Sequence, residues 1–351
     1  MKILYWIDDT HDKGKPPNAA AQKRLEKGLN VQLRVEAINE REQFGKLLST
    51  LDGTKTCGVI MDYQLTKVGE NGQMAFGTTW AAEIRAAHPT VPVIGISHER
   101  ENDIPKLRLE SFLAFFPREQ LMGPTPPSQD ILALLSGYSI VCKILKKQDG
   151  KPSVDLMVDL AMPPKHIADL FRAAIPSVLR EKWDAETPHV VGRWLWHELQ
   201  GLPGFLFDEL GLATYLGLNG NGLKRVCSQF DGARYCGAFA SNQRPRWWVG
   251  SIRGIFESII GQQIAGPISH ARLELLKALN VKNGEYQALL SRPHGRKNSE
   301  VIPDCVAYGE DEREEDYRVQ ALFEDTVVDD RDANAAFGFE ARRIIATKKV
   351  K

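Results

Sequence analysis

Hydrophobic positions in the first 120 residues come as short unbroken runs, separated by stretches of helical spacing. Ile3-Leu4-Tyr5-Trp6-Ile7 stops at Asp8-Asp9, and Cys57-Gly58-Val59-Ile60-Met61 stops at Asp62. Val91-Pro92-Val93-Ile94-Gly95-Ile96 stops at Ser97, and Phe112-Leu113-Ala114-Phe115-Phe116 stops at Pro117. An apolar run of this length between turn residues predicts a strand buried on both faces, as in a parallel sheet. Residues 31–35 alternate and predict a half-exposed strand. Helices are predicted over 19–27, 40–51 and 78–87, with Phe44, Leu47, Leu48 and Leu51 forming one apolar stripe. A short helix is predicted over 104–109 and a long one over 130–147. Repeated strand–helix alternation predicts an α/β fold with a doubly wound, five-stranded parallel sheet.

The charged turn Lys146-Lys147-Gln148-Asp149-Gly150-Lys151-Pro152 marks the expected domain boundary, giving domains of 1–148 and 149–351. The second is predicted to be mainly helical. Residues 154–160 suit a short strand or the start of a helix. A helix over 166–182 carries Pro176 as a kink or split point. Further helices are expected over 190–202, 251–260 and 270–279. Between 208 and 228, Leu212-Ala213 is followed by Leu216-Gly217-Leu218 and then by Leu223 and Val226. This spacing suits a helix-turn-helix, with the glycine in the turn and Asn219, Asn221, Lys224 and Arg225 outward; Gly220 and Gly222 weaken the second helix's start and favour a plain helical hairpin over a DNA reader.

Charge changes this picture only locally. The 351 residues hold 45 Lys plus Arg and 45 Asp plus Glu, so bulk charge selects no partner. From 224 to 253, however, Lys224, Arg225, Arg234, Arg244, Arg246 and Arg253 interleave with Tyr235, Phe239, Trp247 and Trp248. Arginine with aromatics is the composition of a surface that holds phosphates and stacks bases, and equally of a protein interface. Lys224, Arg225, Arg244, Arg246, Trp247 and Trp248 are therefore candidate DNA- or RNA-binding residues. Residues 300–332 reverse the sign with an acidic block, expected to be a solvated face or a cover for the basic stretch. The five cysteines are scattered without a CxxC pair, which suits a reducing cytoplasm. No signal peptide or membrane span is predicted.

Candidate chemistry gathers at the strand ends. Open α/β sheets place their sites beyond the carboxyl ends of the strands, where Asp8, Asp9, Asp62 and Ser97 would share one rim. Clustered carboxylates favour a divalent cation bound through oxygen. With these residues in this order, the first ~148 residues resemble the receiver domain of two-component response regulators, a flavodoxin-like fold found in bacterial signalling. The resemblance implies that Asp62 is the phospho-acceptor, that Asp8, Asp9 and Asp62 bind Mg²⁺, and that Ser97 senses the phosphoryl group. It also implies a histidine kinase or another signalling protein as partner, with residues 149–351 as the output domain. One departure stands out. Receivers carry a lysine just before the proline that follows strand five, and here that residue is Phe116. Arg118 and Lys106 are the neighbouring basic residues that could stand in for it. Two expectations follow: a receiver switched by phosphorylation at Asp62, or a non-phosphorylated pseudo-receiver that assembles a complex or serves a nucleic-acid-binding effector. No compact enzymatic motif occurs in the second half.

Overall fold

The computed structural model describes residues 2–8, 19–38, 40–65, 75–98, 104–147, 154–180, 184, 186–201, 204–265 and 268–290. Asp9, the basic loop around 291–297, the acidic block 300–332 and the C-terminal tail lie outside them. Two compact units emerge. The first takes the described residues up to Ala161, plus Ala174–Trp196 and Gly237–Gln243. The second takes Met162–Ala173, His197–Cys236 and the described residues from Arg244 onward.

The first unit begins β1 (Ile3–Asp8), α1 (Ala19–Leu29), β2 (Gln32–Ala37), α2 (Arg41–Thr50) and β3 (Thr56–Asp62). A small antiparallel pair, β4 (Gln64–Leu65) and β5 (Ala75–Phe76), leads into α3 (Gly77–Ala87). Then follow β6 (Val93–Ser97), α4 (Lys106–Leu109), β7 (Ala114–Pro117), α5 (Arg118–Met122), α6 (Ser128–Lys146) and α7 (Val154–Ala161). The main sheet runs β2-β1-β3-β6-β7, with every pairing parallel. This is the predicted five-stranded receiver-like α/β fold. The central strands are buried along nearly their whole length, as their unbroken apolar runs require. On one sheet face the core joins Phe44, Trp80, Ile84 and Phe112, with the Phe44 and Trp80 rings stacked at 4.3 Å.

The last strand differs from its prediction. Phe112 and Leu113 precede β7, and Pro117 ends it opposite Ser97 rather than stopping the chain before it. The Leu113 N–H bonds the Val93 carbonyl, so by alternation the nitrogens of 115 and 117 also face β6, and the N–H that Pro117 lacks ends the ladder there. Helix α6 is long and apolar enough to cross a membrane by length and composition. One face of it packs into the unit's interior, with Ile131, Leu134, Leu135, Tyr138 and Val141 buried, while Leu132 and Ile140 are exposed.

Segment 184–196 is built into the first unit. It carries α9 (Thr187–Arg193) and the start of a π-helical stretch, Trp194–Leu199; α8 (Lys165–Ala174) precedes it and ends before Pro176, which splits the longer helix expected there. Arg193 donates to the carbonyls of Leu109 (2.9 Å) and Phe112 (2.5 Å), and His189 Nε2 lies 2.8 Å from the Glu110 carbonyl. Arg85 pairs with Glu186 at 3.0 Å and donates to the Ser111 carbonyl. The β6–β7 connection is thus held by Arg193 and His189 of this segment and by Arg85 of α3.

The second unit is helical: α10 (Glu209–Leu216), α11 (Gly220–Val226), α12 (Val249–Ile260), α13 (Arg272–Ala278) and α14 (Tyr286–Leu289), with a two-residue pairing of β8 (Leu206–Phe207) and β9 (Trp247–Trp248). Leu212, Leu216, Leu223, Val226, Phe230 and Phe256 share its core.

Burial sets the chemistry of the cysteines. It pushes the Cys57 thiol up to about 11 and the Cys142 thiol up to about 12. A raised thiol pKa means less thiolate, and the thiolate is the nucleophile. In native protein at pH 8, iodoacetamide is expected to label exposed Cys236 while Cys57 and Cys142 stay unmodified, as peptide masses will show. Equal labelling of all three would contradict this burial.

Candidate functional site

The strand order reverses between β1 and β3, the switch point where doubly wound sheets open a crevice. Ile7 stands opposite Met61, so the next residue on each strand, Asp8 and Asp62, stand level at the rim. Asp62 is opposite Ile96, and Ser97 follows one step further on β6. The structure therefore brings Asp8, Asp62 and Ser97 to one edge. All three are buried, at 0%, 4% and 1% exposure. Asp9 falls outside the described residues.

Arg118 completes this rim. It is the first residue of α5, directly after Pro117, and is itself only 5% exposed. Its guanidinium donates to Asp62 Oδ2 at 2.6 Å and pairs through its other terminal nitrogen with Asp8 Oδ2. The side chain starts beyond β6 and reaches β3 and β1. Only a long side chain with a forked head can serve two carboxylates from there. Asp62 Oδ1 accepts from the Gln64 backbone N–H at 3.2 Å. Helix α5 is secured at its other end, where Arg24 donates to the carbonyls of Met122 (3.2 Å) and Gly123 (3.1 Å). Phe116, at the position of the missing lysine, is buried apolar surface. The side chain of Lys106 lies outside the described residues.

This donor set does not fit a divalent cation. Such an ion needs several oxygens turned toward one point. Here an oxygen from each carboxylate is turned toward a guanidinium lying between them. Among the described residues, no group of three His, Cys, Asp or Glu side chains is placed to hold a metal.

The second candidate surface is split, its aromatic residues interior and half of its six residues exposed. Trp247 and Trp248 are 3% and 1% exposed, which corrects their assignment as base-stacking residues. Trp248 packs edge-on against Phe171 at 5.7 Å and lies 5.8 Å from Tyr235. Arg246 is turned inward too, donating to the Gln200 carbonyl at 3.0 Å. Lys224, Arg225 and Arg244 are exposed.

The helix pair itself forms as its spacing predicts. Gly217 turns at φ 74°, and the Leu218 N–H closes α10 on the Ala213 carbonyl. Asn219, however, does not face outward. It caps α11 by accepting from the Gly222 N–H at 2.9 Å, and its amide donates to the carbonyls of Ala288 (2.9 Å) and Leu290 (3.2 Å). A Cβ on Gly222 would fall under 3.0 Å from the Leu289 carbonyl oxygen. The glycine that weakens the helix start in sequence is what lets segment 286–290 lie against it. In a DNA-reading helix-turn-helix the N-terminal residues of the second helix touch base edges. Here Asn219 and Gly222 at that end pack against segment 286–290, while Gly220 and Asn221 stay exposed.

No protein-family model matches this sequence, and no curated protein matches it. Solved structures give faint likenesses. An adenylate cyclase from Rhodopirellula baltica is 12% identical, over 42% of this chain and 94% of that one, with a TM-score of 0.28. A response regulator from Burkholderia pseudomallei, solved with a phosphorylated aspartic acid, calcium ion and citrate, is 11% identical, over 45% and 91%, with a TM-score of 0.25. The response regulator StyR is 11% identical, over 54% and 98%, with a TM-score of 0.24. Likeness at this level carries no weight for function, which rests on the chemistry of the rim.

Proposed function

We propose that this chain is a receiver-type signalling or complex-assembly protein whose N-terminal unit works by docking a partner rather than by accepting a phosphoryl group. The observation that carries this is the commitment of Asp62 and Asp8 to buried Arg118. An aspartate that attacks phosphorus needs a free oxygen, access for the donor and a cation to screen the approach. Asp62 has one oxygen on Arg118, the other on the Gln64 N–H, and almost no exposed surface. A rim held this way keeps one arrangement, which suits a docking scaffold better than a switch. The partner expected is another signalling protein. A nucleic-acid partner has less support, because the aromatic residues that would stack bases are interior.

Intact mass after incubation with acetyl phosphate and Mg²⁺ tests this. Wild type and Asp62→Asn are expected to give the same result, without phosphoryl addition. A single addition present in wild type and lost in Asp62→Asn would restore the phospho-switch and remove the docking role.

A further inference from the structure

The rim still needs a positive charge. Two carboxylates lie buried side by side, and burial of like charges is tolerated only with compensation. We infer that Arg118 is the resident cation of this rim, standing where a receiver-type site would take a divalent metal, and that wild-type protein binds no divalent cation there. The inference rests on the docking role above and deepens it, since it names what keeps the rim closed.

Several features converge. The guanidinium touches both carboxylates, whereas an ammonium is a point charge without two fixed forks. The backbone of Arg118 is positioned by Pro117 at the end of β7, and its helix is secured by Arg24. A metal would have to displace a buried side chain whose own charge would then lack a partner, while arriving with a strongly held water shell. The same oxygens cannot face both cations.

Removing the arginine should then create the missing site. With a neutral side chain at 118, Asp8 and Asp62 would face one another uncompensated, and an oxygen-rich position would open for a hard divalent ion. Mn²⁺ serves as the probe, read by its paramagnetic resonance, with thermal unfolding in Mg²⁺ against EDTA as a second readout. Wild type is expected to bind no Mn²⁺ at the rim and to melt at the same temperature in both solutions. Arg118→Gln is expected to bind Mn²⁺ at least roughly tenfold tighter than wild type and to be stabilised by Mg²⁺, both lost when Asp62→Asn is added. If Arg118→Gln is unfolded in EDTA, recovery of its fold in Mg²⁺ supports the inference equally.

Two results would overturn it. One is Mn²⁺ bound to wild type and lost in Asp62→Asn. The other is an Arg118→Gln protein that neither binds Mn²⁺ nor gains stability or fold from Mg²⁺. Metal bound by wild type without phosphoryl addition would remove the resident cation and leave the docking role standing. Phosphoryl addition would remove the docking role itself.

Discussion

Arg118→Ala is expected to destabilise the protein by about 3–5 kcal/mol in metal-free buffer, the range for breaking a buried ion pair by removing one partner. Most of this is not the lost attraction. Asp8 and Asp62 remain buried, with a charge that nearby water cannot reach. The loss should appear as a lower urea midpoint and a melting temperature down by about 10 °C. It should also resist salt, because a buried pair is little screened, unlike the exposed Lys46–Glu42 pair on α2. Removing the other side tests the same physics: Arg118→Ala with Asp62→Asn should be less destabilised than the sum of the single variants, since the double variant leaves one buried charge fewer. A loss below about 1 kcal/mol for Arg118→Ala would show that the guanidinium is not the counter-ion of a buried rim.

The second large effect concerns Gly77, the first residue of α3. Its N–H bonds the Tyr63 carbonyl at 2.8 Å, tying the helix start to the residue after Asp62. A Cβ there would fall under 3.0 Å from the Asp62 carbonyl oxygen and lie 3.1 Å from the Met61 side chain. Alanine is otherwise the better helix former by about 1 kcal/mol, so two effects oppose each other. The clash is with backbone at the end of a central strand, which cannot step aside cheaply. Overpacking of this kind costs about 1–3 kcal/mol, and Gly77→Ala is expected to be destabilising on balance. Gly45, in the middle of α2, is the internal control. A Cβ there meets nothing within 4 Å, so Gly45→Ala should be stabilising by about 0.5–1 kcal/mol. Urea midpoints of the two variants should move in opposite directions. Equal shifts would mean that the approach of α3 to the strand end is looser than described.

Much of the rim is legible in the amino-acid sequence. Each apolar run and the residue that ends it are neighbours along the chain, so the runs alone place Asp8, Asp62 and Ser97 at strand ends. The receiver-like order of strands and helices follows from alternation, and the Leu212–Val226 spacing predicts the helix pair. Arg118 stands out only as a basic residue near the end of the fifth strand. Nothing local says that it reaches Asp62, 56 residues away, or that it takes both carboxylates. In the basic stretch, composition cannot separate a stacking surface from a core, because tryptophan serves either. The glycines before Leu223 look like defects in a helix start, yet Gly222 is what admits segment 286–290.

For this protein, then, local periodicity and turn residues suffice for the elements, their order, and which carboxylates end which strands, since these signals act over a few neighbouring positions. Three outcomes are set only by the folded chain: Arg118 closes the rim, Trp247 and Trp248 are interior, and segment 184–196 holds the β6–β7 connection. They depend on which distant surfaces meet once the strands have ordered themselves. The cost of burying charge and apolar area across the whole fold decides them, and no window along the chain contains it.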